Sequence, residues 1–133
     1  MIYTDLNKGV DVGSSAHLIE LDGVRVLADC GMHPKKVGIE ALPDLNAVLD
    51  DTLDFIAISH AHLDHVGALP IISRRQNFAS ILASEVTSDL SLRMLRNSRN
   101  VMVRQREELG IAEYPLYSFE DIDASSKNSA VWL

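Results

Sequence analysis

With 133 residues and a 47% hydrophobic content, the chain is one domain's length of polypeptide with enough apolar material for a modest core, which argues against intrinsic disorder. Nineteen acidic against twelve basic residues leave a net charge of −7, which excludes a dedicated basic nucleic-acid module but not a local basic face. The one cysteine, Cys30, rules out an intrachain disulfide framework and a multi-cysteine zinc cluster, and it fits a reducing compartment, so a cytoplasmic location is expected.

In chain order, the N-terminus has no apolar stretch behind basic residues, and no run approaches about eighteen apolar residues. Neither a secretory signal nor a membrane span is expected. Residues 16–21 and 24–29 are β-favouring runs separated by Asp22-Gly23, whose chemistry suits a two-residue type I′ turn and predicts a hairpin. Residues 53–59 are nearly continuously apolar, which predicts a short strand buried on both faces. Helix is expected over 66–76, with Pro70 tolerated in the first turns, and strand over 80–83.

Ser84 is a candidate N-cap for a helix running to about Arg99, with Val86, Leu90, Met94 and Leu95 on its buried face. Ser118-Phe119-Glu120-Asp121 carries the capping signature of a short final helix. Ser125–Ser129 reads as a polar loop, followed by the apolar Ala130-Val131-Trp132-Leu133, which either docks on the domain or begins a further element. Alternating strands and helices behind a hairpin read as α/β or α+β layers.

Charge is unevenly placed. Residues 74–106 hold Arg74, Arg75, Arg93, Arg96, Arg99, Arg104 and Arg106 against Glu85 and Asp89, so this segment is net +5 and the remainder −12. Such a run is either a solvated helix face or a surface that steers a polyanion.

Three of the five histidines fall in Ser59-His60-Ala61-His62-Leu63-Asp64-His65, directly after the predicted buried strand. In an extended segment, residues two apart face the same side, so His60 and His62 can present imidazoles to one metal ion. Asp64 and His65, where the chain turns into a helix, can face a second ion. Without a metal, three imidazoles and a carboxylate crowded at a strand end repel one another when protonated and gain little packing when neutral. A pair of ions about 3.5–4 Å apart clamps an attacking hydroxide and a polarised substrate oxygen together. His17, inside the first hairpin strand, reads as packed, Cys30 as a small buried hydrophobe, and Gly67 as a point of close helix approach. His33 is a loop histidine near the cleft.

The His-x-His-x-Asp-His run resembles the signature of the metallo-β-lactamase fold. Val12-Gly13-Ser14-Ser15-Ala16-His17-Leu18-Ile19-Glu20 and Leu27-Ala28-Asp29-Cys30-Gly31-Met32-His33-Pro34 resemble the opening of its β-CASP branch, the RNA-processing nucleases related to the cleavage and polyadenylation endonuclease subunit and to RNase J. Ser84-Glu85-Val86-Thr87-Ser88-Asp89-Leu90 and Pro115-Leu116-Tyr117-Ser118 are similar to later segments of that branch.

The resemblance implies an α/β fold, the N-terminal portion of an αββα metallo-β-lactamase sandwich spanning residues 1–133. It implies that His60 and His62 ligate one zinc, that Asp64 and His65 ligate a second, and that Asp29 is an acid that braces the histidine loop without touching metal. That last role has a physical reason, because ligating histidines need an acceptor on their other nitrogen to fix tautomer and orientation. The catalytic residues implied are Asp64, with Asp29 in support, and the cofactor is Zn2+, two per complete active site.

The family pattern also includes a later histidine ligand, a metal-bridging aspartate and an inserted β-CASP domain. No histidine follows His65, and Asp121 and Asp123 stand in the wrong context for the bridge. The chain is therefore expected to be part of a longer zinc-dependent hydrolase and inactive in isolation. The substrate implied is RNA, cleaved at its phosphodiesters. No membrane partner is expected, and homo-oligomer formation is left open. The alternatives are a small-ester or thioester hydrolase of the same fold, and a non-catalytic scaffold.

Overall fold

The computed structural model describes residues 1–8, 13–127 and 129–131. Val12, Trp132 and Leu133, quoted above, lie outside the described residues.

Six strands form one sheet in sequential order among the described residues: β1 (Ile2–Asp5), β2 (His17–Leu21), β3 (Val24–Ala28), β4 (Phe55–Ala57), β5 (Ser80–Ala83) and β6 (Ser129–Val131). The first three pair antiparallel, while β3, β4, β5 and β6 run parallel. The β2–β3 hairpin closes as its dipeptide predicts: Asp22 and Gly23 both take positive φ, 51° and 79°, as a type I′ turn requires. β1 has all four residues exposed and no inward apolar residue to announce it.

Four helices complete the described fold: α1 (Leu63–Val66), α2 (Leu69–Ser73), α3 (Glu85–Leu109) and α4 (Phe119–Lys127). The helix expected over 66–76 is thus two short pieces, with Pro70 in the first turn of α2, where a missing N–H costs nothing. The Ser84 side chain accepts the Thr87 N–H, and α3 continues past Arg99 to a left-handed Gly110 (φ 70°). At α4, Ser118 Oγ accepts the Asp121 N–H while Asp121 Oδ2 accepts the Ser118 N–H, a reciprocal cap. Ser125, Ser126 and Lys127, read as loop, belong to this helix, because the cap and buried Ile122 carry it through the polar stretch. Ser129–Val131 dock on the sheet, where β6 pairs with β5.

The core lies between one face of the sheet and the helices. Leu18, Leu27, Ile56 and Ile81 point inward to meet Val66, Ile72, Leu95, Met102 and Ile122, all buried. The opposite face, carrying Ile19, Leu21, Val24, Val26, Phe55 and Leu82, is intermediate or exposed. β4 is therefore buried through Ile56 alone, not on both faces as its apolar run suggested. On α3 the buried stripe is Ser91, Leu95, Ser98 and Met102, whereas Val86 and Leu90 are 68% and 46% exposed. Apolar spacing along that helix marks one stripe, and α4 and α1 pack against its neighbour.

Buried Gln76 sets the entry to β4, its Oε1 accepting the Thr52 and Leu53 N–H groups and its Nε2 donating to the Leu49 carbonyl. No helix among the described residues is long and apolar enough to cross a membrane.

Candidate metal centre

β3 and β4 lie side by side and parallel, so their C-terminal ends deliver Asp29 and the Ser59–His65 segment to the same edge of the sheet. The two loops then knit together along their backbones. The Cys30 N–H donates to the His65 carbonyl at 2.8 Å, the Met32 N–H to the Leu63 carbonyl at 2.8 Å, and the Ser15 N–H to the Asp64 carbonyl at 2.9 Å. Gly31 makes the approach possible: a Cβ there would stand 1.8 Å from the Asp64 carbonyl oxygen.

On this frame the ligating atoms of His60, His62 and Asp64 all lie within 4.8 Å of one another. The His60 and His62 rings meet edge to face, with centroids 4.9 Å apart. His65 adjoins the group, its ring centroid 3.8 Å from that of His60 and its Nε2 3.5 Å from Asp64 Oδ2. Asp64 thus faces both the His60–His62 pair and His65.

Asp29, 8% exposed, is the hub behind these rings. Its Oδ1 accepts the Ser59 backbone N–H at 2.8 Å, its carboxylate accepts the Ser59 hydroxyl, and its Oδ2 lies 2.8 Å from His65 Nδ1. Ser59 Oγ is in turn 2.9 Å from His60 Nδ1. With its single proton donated to Asp29, the hydroxyl is placed to accept from His60, so the contacts favour the tautomer of His60 and His65 that carries its proton on Nδ1 and leaves Nε2 for a cation. Ser59 stands in the histidine run yet carries no spacing signal of its own, and its position directly before the first histidine is the one mark it leaves in the sequence.

The sequence profile of the metallo-beta-lactamase superfamily matches residues 9–125. The chain belongs to that superfamily.

Among curated proteins, the chain is 41% identical over 76 residues to endoribonuclease ysh1 of Schizosaccharomyces pombe, covering 57% of this chain and 10% of that protein. It is 41% identical over 73 residues to cleavage and polyadenylation specificity factor 73 of Drosophila melanogaster, covering 55% and 11%. To endoribonuclease YSH1 of Candida glabrata it is 30% identical over 121 residues, covering 90% of this chain and 16% of that one. The chain thus spans 10–16% of the length of these curated relatives. Among solved structures, a HARLDQ-motif mutant of the metallo-beta-lactamase from Cronobacter sakazakii superposes with a TM-score of 0.50 at 22% identity, covering 70% of this chain and 38% of that one, which shows the shared fold.

The superfamily implies a metal-binding site, and the donors present fit one. Two imidazoles and a carboxylate are the ligand chemistry of a zinc-type ion, and the nitrogen that Asp29 and Ser59 leave bare on His60 and His65 is the one a cation needs. Ligand atoms around a tetrahedral zinc lie about 3.4 Å apart, so the His60, His62 and Asp64 group, whose atoms lie within 4.8 Å of one another, must draw together to close on an ion.

The remaining candidates are placed elsewhere. His17 stacks on Tyr3, with Nδ1 and Nε2 at 2.6 and 3.2 Å from the Tyr3 and Ser15 hydroxyls. Cys30 is fully buried, and burial, with the Asp29 charge beside it, pushes its thiol pKa up. A Cβ at Gly67 would meet the Met32 side chain and the Leu63 carbonyl. Asp121 and Asp123 pair with Arg74 and Arg96, each at 2.9 Å. Arg75 holds Asp50 and the Leu45 and Val48 carbonyls, and Arg99 lies 4.5 Å over the Phe119 ring. Four of the seven arginines in the basic segment are therefore committed inside the fold. Arg93, Arg104 and Arg106 are exposed and form no ion pair among the described residues.

Proposed function

We propose that this chain supplies the first zinc motif of a β-CASP-type hydrolase that cleaves RNA phosphodiesters. The observation that carries the reading is the convergence of His60, His62 and Asp64 in front of the Asp29 carboxylate. The names of the relatives, endoribonucleases among them, favour RNA over a small ester.

His60 and His62 hold one zinc ion, with Asp64 near enough to join them, and Asp64 with His65 offers the start of a second position. When bound there, zinc would supply Lewis-acid chemistry, bringing the pKa of a water to about 7 and stabilising a leaving oxygen. Asp29 keeps His65 oriented directly and His60 through Ser59, so both rings are held close to their ligating orientation before the ion enters. The open, solvent-facing side of His62 leaves room for a phosphodiester to approach.

Calorimetric zinc titration, together with hydrolysis of a fluorogenic RNA and of an ester and thioester panel, tests this reading. Zinc uptake by the chain that is lost in a His60→Ala, His62→Ala double variant is the expected result. Uptake unchanged in that variant overturns the metal assignment. Metal-dependent ester or thioester turnover with RNA left intact would favour the small-ester hydrolase instead.

A further inference from the structure

Beside the metal centre, a cleft of about 270 Å³ opens between the 32–37 loop and α3. Leu63 lines it, and Leu63 sits between His62 and Asp64 in the chain, so one segment serves both the cleft and the metal centre. Met32, Leu63, Val101 and Met102 give it an apolar lining, Asn97 and Gln105 offer amide groups from α3, and Lys35 and Lys36 stand on the loop. In a chain of net charge −7, no carboxylate among the described residues lines this cleft. The exposed Lys35 and Lys36 ammonium groups form no ion pair among the described residues.

The loop is held in place. His33, 7% exposed, accepts the Lys35 N–H on its Nδ1 at 3.1 Å, and its own N–H donates to the Ala41 carbonyl at 2.7 Å. Tyr114, buried at the far side, accepts the Gly38 N–H on its hydroxyl at 2.7 Å. The lysines are thus carried on a fixed turn rather than on a loose one.

We propose that this cleft is the subsite for one nucleotide of the RNA strand adjacent to the cleaved phosphate. It rests on the reading of the chain as part of an RNA-cleaving hydrolase. An apolar slot bordered by amides matches a nucleobase, a flat body with hydrogen-bonding edges, and single-stranded RNA is read in that way. The two free cations match the phosphate that accompanies the base. The volume falls just below the roughly 300–1,000 Å³ of pockets that take drug-sized ligands, a size that suits a single nucleotide.

Amide NMR of the zinc-loaded chain, titrated with adenosine 5′-monophosphate, adenosine, inorganic phosphate and a polyglutamate peptide, tests the subsite. Saturable shifts at Lys35, Lys36, Asn97, Val101 and Gln105 with the nucleotide are expected, and a Lys35→Glu, Lys36→Glu variant should weaken binding by about tenfold with the rest of the spectrum unchanged. Asn97→Ala with Gln105→Ala should weaken adenosine as well as the nucleotide while leaving phosphate unaffected. Unmoved cleft amides, or polyglutamate binding more tightly than the nucleotide, would overturn the proposal. Zinc shifts confined to His60–His65 without nucleotide shifts sink the subsite and leave the metal reading standing. Nucleotide shifts without zinc uptake do the reverse.

Discussion

Asp29 Oδ2 and His65 Nδ1 meet at 2.8 Å across two loops that are 36 residues apart in the chain. Asp29 holds this position in the left-handed region, at φ 63°, a conformation that Asp and Asn tolerate better than most side chains. Asp29→Asn therefore keeps the backbone and removes the charge. We expect zinc affinity to fall by about 10–100-fold, the usual loss when the acceptor behind a ligating histidine is changed, and the melting temperature to fall as well, because Asn offers one acceptor oxygen where the carboxylate accepts on both. Zinc calorimetry beside thermal unfolding reads the two effects separately.

Ser59 links Asp29 to His60 through one hydroxyl. Ser59→Ala frees His60 Nδ1 while leaving the backbone N–H bond to Asp29 intact. A weaker zinc affinity, smaller than the Asp29 effect, is expected, and Ser59→Thr should restore it because the hydroxyl returns. Equal losses in the alanine and threonine variants would show that the hydroxyl does not orient His60.

Gly31→Ala drives a Cβ to 1.8 Å from the Asp64 carbonyl, a backbone atom that cannot swing aside. Overpacking of this kind costs about 3 kcal/mol or more, and three backbone hydrogen bonds around the clash are disturbed with it. The melting temperature should fall by roughly 10 °C or more. A fall of only a degree or two would mean that the two loops are not knit together in solution.

The cap of α4 predicts a pH dependence. Burial alone would raise the Asp121 pKa, but hydrogen bonds from Ser118 and the Arg74 guanidinium outweigh it and hold the carboxyl below its ordinary value. Because the folded value is the lower one, the stabilisation is present above the ordinary aspartate range and fades as pH falls through the folded value. Ser118→Ala should cost about 1 kcal/mol at neutral pH. Asp121→Asn should also destabilise there, by an amount that shrinks as pH falls below about 4. Urea unfolding of wild type and variant from pH 3 to 7 measures the convergence, and parallel curves across that range would count against it.

Cys30 has no solvent exposure, and burial beside Asp29 raises its thiol pKa, so thiolate is scarce. A disulfide-exchange reagent at pH 8 should label it only as fast as the chain unfolds. Stoichiometric labelling of the native protein within seconds would contradict this burial.

What the sequence determined by itself is local. The Asp22-Gly23 turn and the Ser84 and Ser118 caps each depend on groups a few residues apart, whose geometry the backbone sets without distant help, and the grouping of His60, His62, Asp64 and His65 is legible from their spacing. Asp29 was legible as a candidate through resemblance, yet its hydrogen bonds to Ser59 and His65 exist only because β3 and β4 pair in parallel. The need for glycine at position 31 appears only when the Asp64 carbonyl arrives from the other loop. Likewise, hydrophobic periodicity places Val86, Leu90 and Leu95 on helical stripes, and apolar runs mark β4, without saying which stripe or face another layer covers. Packing decided that Leu95 and Ile56 are buried while Val86 and Leu90 face solvent, because burial is a property of a residue's neighbours in space and not of its neighbours in the chain.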